Sequence, residues 1–368
     1  MKSSYRLCIL LLNASLPLFA QQTPAPSAPP SSGDTNPLIT LDAVVTNKSG
    51  TPQSGLQQQD FTLLDNKTSQ KIVSFHAIEN PTAPAVPPVE VVLCIDTVNT
   101  AIQTVLDERS QIQKYLRQNG GKLTNPTSVV IFSDSGLKNL GAPTLDGNAL
   151  GSLLDGNDIV GFHAMQRASG SNGAFERLTS SLSKLYSLAA FEEKKPGRKM
   201  VIWISPGWPL LASVGTEMYS KGKEQLFSTL VLVSSAIKQA RITLYSIDPE
   251  GAGGSGLRSR FSYESYLKGV STAKDVSPPN LSLQVLVTRS GGRVLTTGND
   301  IGSQIADCLS EIKAFYVLSF ETVPTERPDE YHSLELKVDK PGLIARTSAG
   351  YYAQPIQRPG AAINDKKK

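Results

Sequence analysis

The feature that most constrains this 368-residue chain is a short, unbroken apolar run that recurs between helical segments. The first is Val89–Ile95, apolar at every position but Glu90 and closed by Asp96. Runs of this kind, rich in Val and Ile, suit strands covered on both faces, as in a parallel sheet. Ser128–Phe132, Lys199–Ile204, Ile242–Ile247 and Phe315–Phe320 repeat the pattern. Between them, apolar residues fall at helical spacing: Ile102, Val105, Leu106, Ile112 and Leu116, then Phe175, Leu178, Leu182, Leu185 and Ala189. Leu226–Ile237, Leu281–Thr288 and Ile301–Ile312 continue the series. This rhythm predicts an α/β fold over residues 89–322, a doubly wound, mostly parallel sheet with helices on both faces.

The two ends of the chain read differently. Residues 38–80 hold short alternating strands at Leu38–Val45, Asp60–Leu64 and Lys71–Phe75, and residues 331–353 hold two more around Pro341-Gly342. Three or four short strands cannot cover a core alone. The expectation is that the C-terminal strands complete the N-terminal unit as a small β-sandwich-like body. Ahead of it, residues 1–20 read as a signal peptide, with Lys2 and Arg6 before the apolar Leu7–Leu12 and Ala20 at the cleavage point. Residues 21–37 form a Pro/Ser-rich linker, and 354–368 a disordered tail. An exported protein, periplasmic or secreted, is therefore expected. No later run approaches the ~20 apolar residues needed to span a bilayer.

A net charge of +4 without a basic block gives no reason to expect a nucleic-acid partner. Beyond Cys8, two cysteines remain. Cys94 lies in the first buried strand and Cys308 on an apolar helix face, which reads as two buried free thiols, although an export compartment would permit a disulfide.

Ligands in open α/β sheets bind at the carboxyl ends of the strands, which directs attention to Asp96-Thr97-Val98-Asn99-Thr100. Two readings of Asp96 stand side by side: a metal-binding acid, or an acceptor for the amides of its own loop with Asn99 stabilising the turn. Elsewhere the chemistry is sparse. Gly253-Gly254-Ser255-Gly256 lacks the Lys and Ser/Thr of a phosphate loop. His76, His163 and His332 have no metal spacing, and no nucleophile elbow occurs.

Four stretches, LDAVVTNKSGTPQSGLQQQDFTLLDNKTSQKIVSF (Leu41–Phe75), VVLCIDTVNT (Val91–Thr100), PGRKMVIWISPGWP (Pro196–Pro209) and SLELKVDKPGLIARTSAGYYA (Ser333–Ala353), resemble von Willebrand factor type A domains. More specifically, they resemble the VWFA-related acidobacterial domain family. The resemblance implies a doubly wound fold with β-strand extensions and no established activity. It also implies an Mg²⁺ adhesion site of the form Asp-x-Ser-x-Ser, completed by a Thr from a second loop and an Asp after a later strand. Mg²⁺ demands hard oxygen ligands in octahedral geometry. Here Asp96 matches the acid and Thr100 the second Ser, but Val98 replaces the first. Ser205-Pro206-Gly207 offers a hydroxyl where the later Asp belongs, and Ser169, Ser171 and Thr179 compete for the Thr. Asp96, Thr100 and Ser205 thus make an incomplete, degenerate ligand set for Mg²⁺.

The expected function is non-enzymatic binding of another envelope or extracellular protein, for adhesion or interaction, at this sheet end. The candidate contacts are Asn99, Trp208 in its Pro-flanked loop, and Arg258, Arg260, Tyr263 and Tyr266 in the Gly/Ser-rich insertion 251–279; the alternatives are a Trp208 ring folded back onto the helices and an insertion that is plainly disordered. The alternative is a structural or assembly component of the cell envelope acting through its β unit.

Overall fold

The computed structural model describes residues 37–79, 87–155, 170–209, 220–251, 262–296, 298, 300–323 and 325–355. Of the residues that figure in the sequence reading, 1–36, His163, Ser169, Gly253–Gly256, Arg258, Arg260 and the segment 356–368 lie outside them.

The apolar runs fold as expected into a mostly parallel central sheet. β5 (Glu90–Asp96), β6 (Lys122–Ser133), β9 (Lys199–Ile204), β10 (Ile242–Ile247) and the short β11 (Val294–Leu295) run parallel in the order β11-β10-β9-β5-β6. Two short strands, β7 (Gly136–Asn139) and β8 (Thr144–Asp146), pair antiparallel with β6. Side chains alternate between the two faces because successive Cβ atoms point oppositely along a strand. Val92, Cys94, Val130, Phe132, Val201 and Trp203 share one core with α3 (Gly170–Glu192), α4 (Ser220–Gln239) and α5 (Leu283–Arg289). Val91, Leu93, Ile95, Met200, Ile202 and Ile204 share the other with α1 (Ile102–Leu116), α2 (Gly147–Leu154) and α6 (Ile301–Ser310). Both sheet faces are covered, which is why these strands read as continuous rather than alternating apolar runs.

Two antiparallel four-stranded sheets complete the structure. One has the order β14-β1-β12-β4, from β14 (Leu343–Arg346), β1 (Leu38–Asn47), β12 (Ala314–Glu321) and β4 (Ile72–Glu79). The other has the order β15-β13-β2-β3, from β15 (Gly350–Ala353), β13 (Glu330–Val338), β2 (Phe61–Asp65) and β3 (Thr68–Gln70). Their inward faces share a core that includes Leu41, Leu63, Leu318, Phe320 and Leu336.

One strand is a correction. The run Phe315–Phe320 was expected to be the last strand of the parallel sheet. It lies instead in β12, paired antiparallel between β1 and β4. An apolar run reports burial on both faces, not the sheet that supplies its partners. Alternate β12 residues serve two cores: Phe315 and Val317 face the helices of α1 and α6, whereas Tyr316, Leu318 and Phe320 face the second antiparallel sheet. Buried Glu311 ties the bodies further. It accepts from Tyr245 Oη on β10 at 2.5 Å, pairs with Arg293 at 2.8 Å and with Arg346 of β14 at 2.5 Å.

The insertion after β10 also differs from the expected loop. Residues 262–281 carry two short 3₁₀ turns, and Val270, Val276 and Leu281 are buried in the core shared with α4 and α5. Cys94 and Cys308 are free and buried. Among the described residues, no helix is long and apolar enough to cross a membrane.

Candidate functional site

The strand order itself selects the sheet end around Asp96. After β5 the chain moves to β6 on one side, while β9, β10 and β11 lie on the other. The crevice between connections that leave in opposite directions is the usual ligand position of an open α/β sheet. Here it falls at the carboxyl ends of β5 and β9, where Ile95 pairs with Ile204 and Asp96 therefore adjoins Ser205.

Every hydrogen bond at Asp96 comes from the chain's own donors. Oδ1 accepts from the backbone N–H of Val98 at 3.0 Å and of Asn99 at 2.9 Å. Oδ2 accepts from the Asn99 side-chain amide at 2.9 Å and from the Trp203 indole N–H at 3.0 Å. The first pair is the Asx-turn geometry of a short acid bonding the amides two and three residues on. The indole bond follows from register: Trp203 sits beside Cys94 and so projects on the same sheet face, from which its ring reaches Asp96. Asn99 spans the site and donates also to Ser181 Oγ on α3 at 2.9 Å, while Ser181 Oγ donates back to the Arg177 carbonyl at 2.8 Å. Burial raises the Asp96 pKa, opposed by the hydrogen bonds from Trp203, Asn99 and Ser205.

This arrangement does not fit Mg²⁺. The carboxylate oxygens are both taken by protein N–H groups, and Val98 turns an apolar side chain into the core. The Ser205 hydroxyl accepts from the Gly207 N–H at 3.1 Å, and Thr100 is fully buried. Of the candidates for the second-loop hydroxyl, Thr179 points to solvent from α3. The side chain that does approach the loop is Ser181, two residues further along. Among the described residues no group of three or more His, Cys, Asp or Glu could hold a metal ion. Asp96 and Ser205 thus sit in a hydrogen-bonded knot beside the buried Thr100, not in a coordination shell.

Of the two readings of Trp208, an exposed anchor or a ring folded back onto the body, the structure takes the second: Trp208 is 3% exposed and packs edge-on against Trp203, ring centroids 5.5 Å apart. Phe132 closes on Trp203 from the other side at 5.8 Å. Burying two large rings outweighs presenting one to water, since each aromatic hides ~150–250 Å². Tyr263 and Tyr266 sit half-buried on the first 3₁₀ turn of the insertion.

The structure adds a residue that sequence reading passed over. Glu108 lies on the buried stripe of α1 with Val105, Ile112 and Leu116. Neither of its carboxyl oxygens has a hydrogen-bond partner among the described residues. Burial, and then the charges of Asp96, Asp248 and Glu250, push its pKa well above the usual range. Helical spacing gives the clue, because Glu108 stands three residues after Val105 and four before Ile112. The same burial, with the charges of Asp96 and Glu108, raises the Cys94 thiol pKa and disfavours its thiolate. Among exposed polar residues such as Gln103, Asp107 and Glu176, three apolar side chains are exposed: Ile102 and Leu106 at the start of α1, and Phe175 six residues before Ser181 on α3.

No known protein-family profile matches the sequence, and no curated protein matches it. Solved structures similar in shape include proximal thread matrix protein 1 of the mussel byssus (11% identity, TM-score 0.31, covering 62% of this chain and 47% of that one). Manganese-loaded TRAP of Plasmodium vivax is similar at 11% identity and TM-score 0.33, covering 76% and 98%. The human COPII-coat protein Sec24c is similar at 9% identity and TM-score 0.31, covering 76% and 46%. The chain spans about half the length of the byssus and Sec24c chains it matches. TRAP and Sec24c contain the von Willebrand factor type A fold, but agreement at this level establishes no family.

Proposed function

We propose that this chain is an exported, non-enzymatic protein-interaction module built on a doubly wound, von Willebrand A-like body, and that it binds without a metal. The observation that carries the reading is the state of Asp96. In a metal-dependent adhesion site the acid must face a cation that a partner's carboxylate completes. Here four N–H donors occupy it, one from the core residue Trp203. Around this sealed knot the sheet end offers Ile102, Leu106 and Phe175, exposed apolar side chains of the kind that anchor protein interfaces. The partner is another envelope or extracellular protein, met through apolar contact rather than through a shared ion.

The test is affinity capture from envelope extract, with and without EDTA, using the wild-type chain and an Ile102→Asp/Phe175→Asp variant. The reading requires one partner recovered equally in both buffers and lost with the variant. Chelator-sensitive recovery, or recovery that ignores the substitutions, overturns it.

A second reading, an assembly component of the envelope, draws on the open edge of β14. This strand pairs with β1, and its Ile344 is exposed. An edge of that kind can accept a strand from another chain. Concentration-dependent oligomers on size-exclusion chromatography, abolished by Ile344→Lys, favour this alternative over the first.

A further inference from the structure

A cavity of about 550 Å³ opens far from Asp96, where α4, the following β10 and α5 meet the N-terminal half of β1 and strand β15. Its size falls within the ~300–1,000 Å³ of small-molecule sites. Its charge is unbalanced. Lys238, Arg241 and Arg289 line it, against Asp42 as the sole acid among the described lining residues. Asp42 is already committed, since both its oxygens accept from the Arg241 guanidinium, at 3.2 and 2.5 Å. Lys238 and Arg289 are left without a carboxylate partner among the described residues.

Both are held where a counter-charge is missed. The Lys238 ammonium has the Ser348 hydroxyl at 3.4 Å and the Tyr351 ring at 5.7 Å. Arg289 is 8% exposed, lies 5.0 Å over the Tyr331 ring and bonds the Tyr352 hydroxyl, while its Nη1 has no hydrogen-bond partner among the described residues. A buried guanidinium N–H without a bond is costly, and both cations line the same cavity. The remaining wall mixes hydroxyls with the apolar side chains of Leu41, Ile237 and Leu286.

We propose that this cavity binds a small amphipathic organic anion, its carboxylate, phosphate or sulfonate head between Lys238 and Arg289 and its apolar body against Ile237 and Leu286. The site is independent of the sheet-end reading. The anion supplies the charge that the fold omits, and the planar Arg289 fork and the compact Lys238 head suit an oxyanion.

A pH signature follows. Burial pushes the Lys238 pKa down to about 7, with Asp42 and then Asp65 pulling it back only in part. The other groups facing the lysine do not supply an acid: Arg241 and Arg289 are cations, and burial holds the Tyr351 and Tyr352 phenols neutral. A bound anion favours the ammonium, so binding draws a proton onto Lys238 and weakens as pH rises through 7. If only the ammonium form binds, affinity falls roughly tenfold from pH 6 to pH 8.

The probe is 1-anilinonaphthalene-8-sulfonate, followed by its fluorescence in titrations at pH 6, 7 and 8, with neutral Nile red as control and circular dichroism to check each fold. The wild type should show one saturable site with that pH dependence. Lys238→Met should weaken binding at pH 6 and abolish the pH dependence. Lys238→Arg should keep the affinity and lose the pH dependence. Arg289→Met should weaken binding yet keep it, and Nile red should not distinguish the variants. The proposal is overturned if the wild type shows no saturable site, if its affinity is equal at pH 6 and 8, or if both methionine variants bind as the wild type does.

Discussion

Replacing Asp96 by alanine tests the sealed-knot description most directly. The substitution removes the acceptor of four hydrogen bonds at once. Asn99 is half-buried and retains Ser181 as an acceptor, so its side chain recovers part of the loss. The Val98 amide and the Trp203 indole lie in the core and have no second acceptor among the described residues. An orphaned buried donor costs ~1–3 kcal/mol, and two of them with a loosened Asx turn give an expected loss of about 3–5 kcal/mol. Asp96→Asn should cost less, about 2 kcal/mol, because removing the buried charge offsets one repelled donor pair. The assay is urea unfolding followed by tryptophan fluorescence. The chain has two tryptophans, Trp203 and Trp208, packed edge to face at this site, so the signal reports the knot itself. The slope should stay constant while the midpoint falls. Mg²⁺ supplies a second arm. A cation bound a hundredfold below its working concentration would add about 2.7 kcal/mol, so a midpoint that ignores 10 mM Mg²⁺ and EDTA is expected. An Asp96→Ala variant within about 1 kcal/mol of wild type, or a midpoint that climbs with Mg²⁺, refutes the reasoning.

Three further outcomes are expected. Glu108 has a folded pKa raised above its ordinary 4.5, so its neutral form is stabilising relative to the charged one. Wild-type stability is then full below the unfolded value and declines above it by up to about 1.4 kcal/mol per pH unit until the folded pKa is reached. Glu108→Gln does not titrate, so its urea midpoint should gain on wild type between pH 5 and pH 8; a constant gap counts against the burial argument. Glu311→Ala strips Tyr245, Arg293 and Arg346 of a shared acceptor and should cost about 3–5 kcal/mol in thermal melts, whereas Arg346→Met, which leaves Arg293 in place, should cost less. Gly292→Ala places a Cβ 1.7 Å from the Leu244 carbonyl oxygen on β10, a backbone clash that should lower the denaturation midpoint by the equivalent of about 2 kcal/mol or more.

Much of the architecture was legible because it is written in local periodicity. The helices α1, α3, α4, α5 and α6 follow their apolar spacing, and the parallel strands follow their continuous runs. β12 shows where such reading stops. Its residues specify burial, but pairing with β1 and β4 depends on chain segments more than two hundred residues away. The cavity at Lys238 was illegible for the same reason. Nothing near Lys238 in sequence announces that Ser348 and Tyr351 will stand opposite it.

At the sheet end the division is finer. Sequence alone determined that Asp96 closes the first core strand, that Val98 cannot coordinate, and that no carboxylate follows β9. Those facts are residue identities, fixed before folding. It did not determine what Asp96 binds instead. That required parallel register to set Trp203 beside Cys94, α3 to bring Ser181 to Asn99, and the core to draw Trp208 inward. Periodicity says which side of an element is buried. Only the assembled fold says which donors arrive at a buried acceptor, because those donors come from strands and helices whose separation along the chain carries no trace of their distance in space.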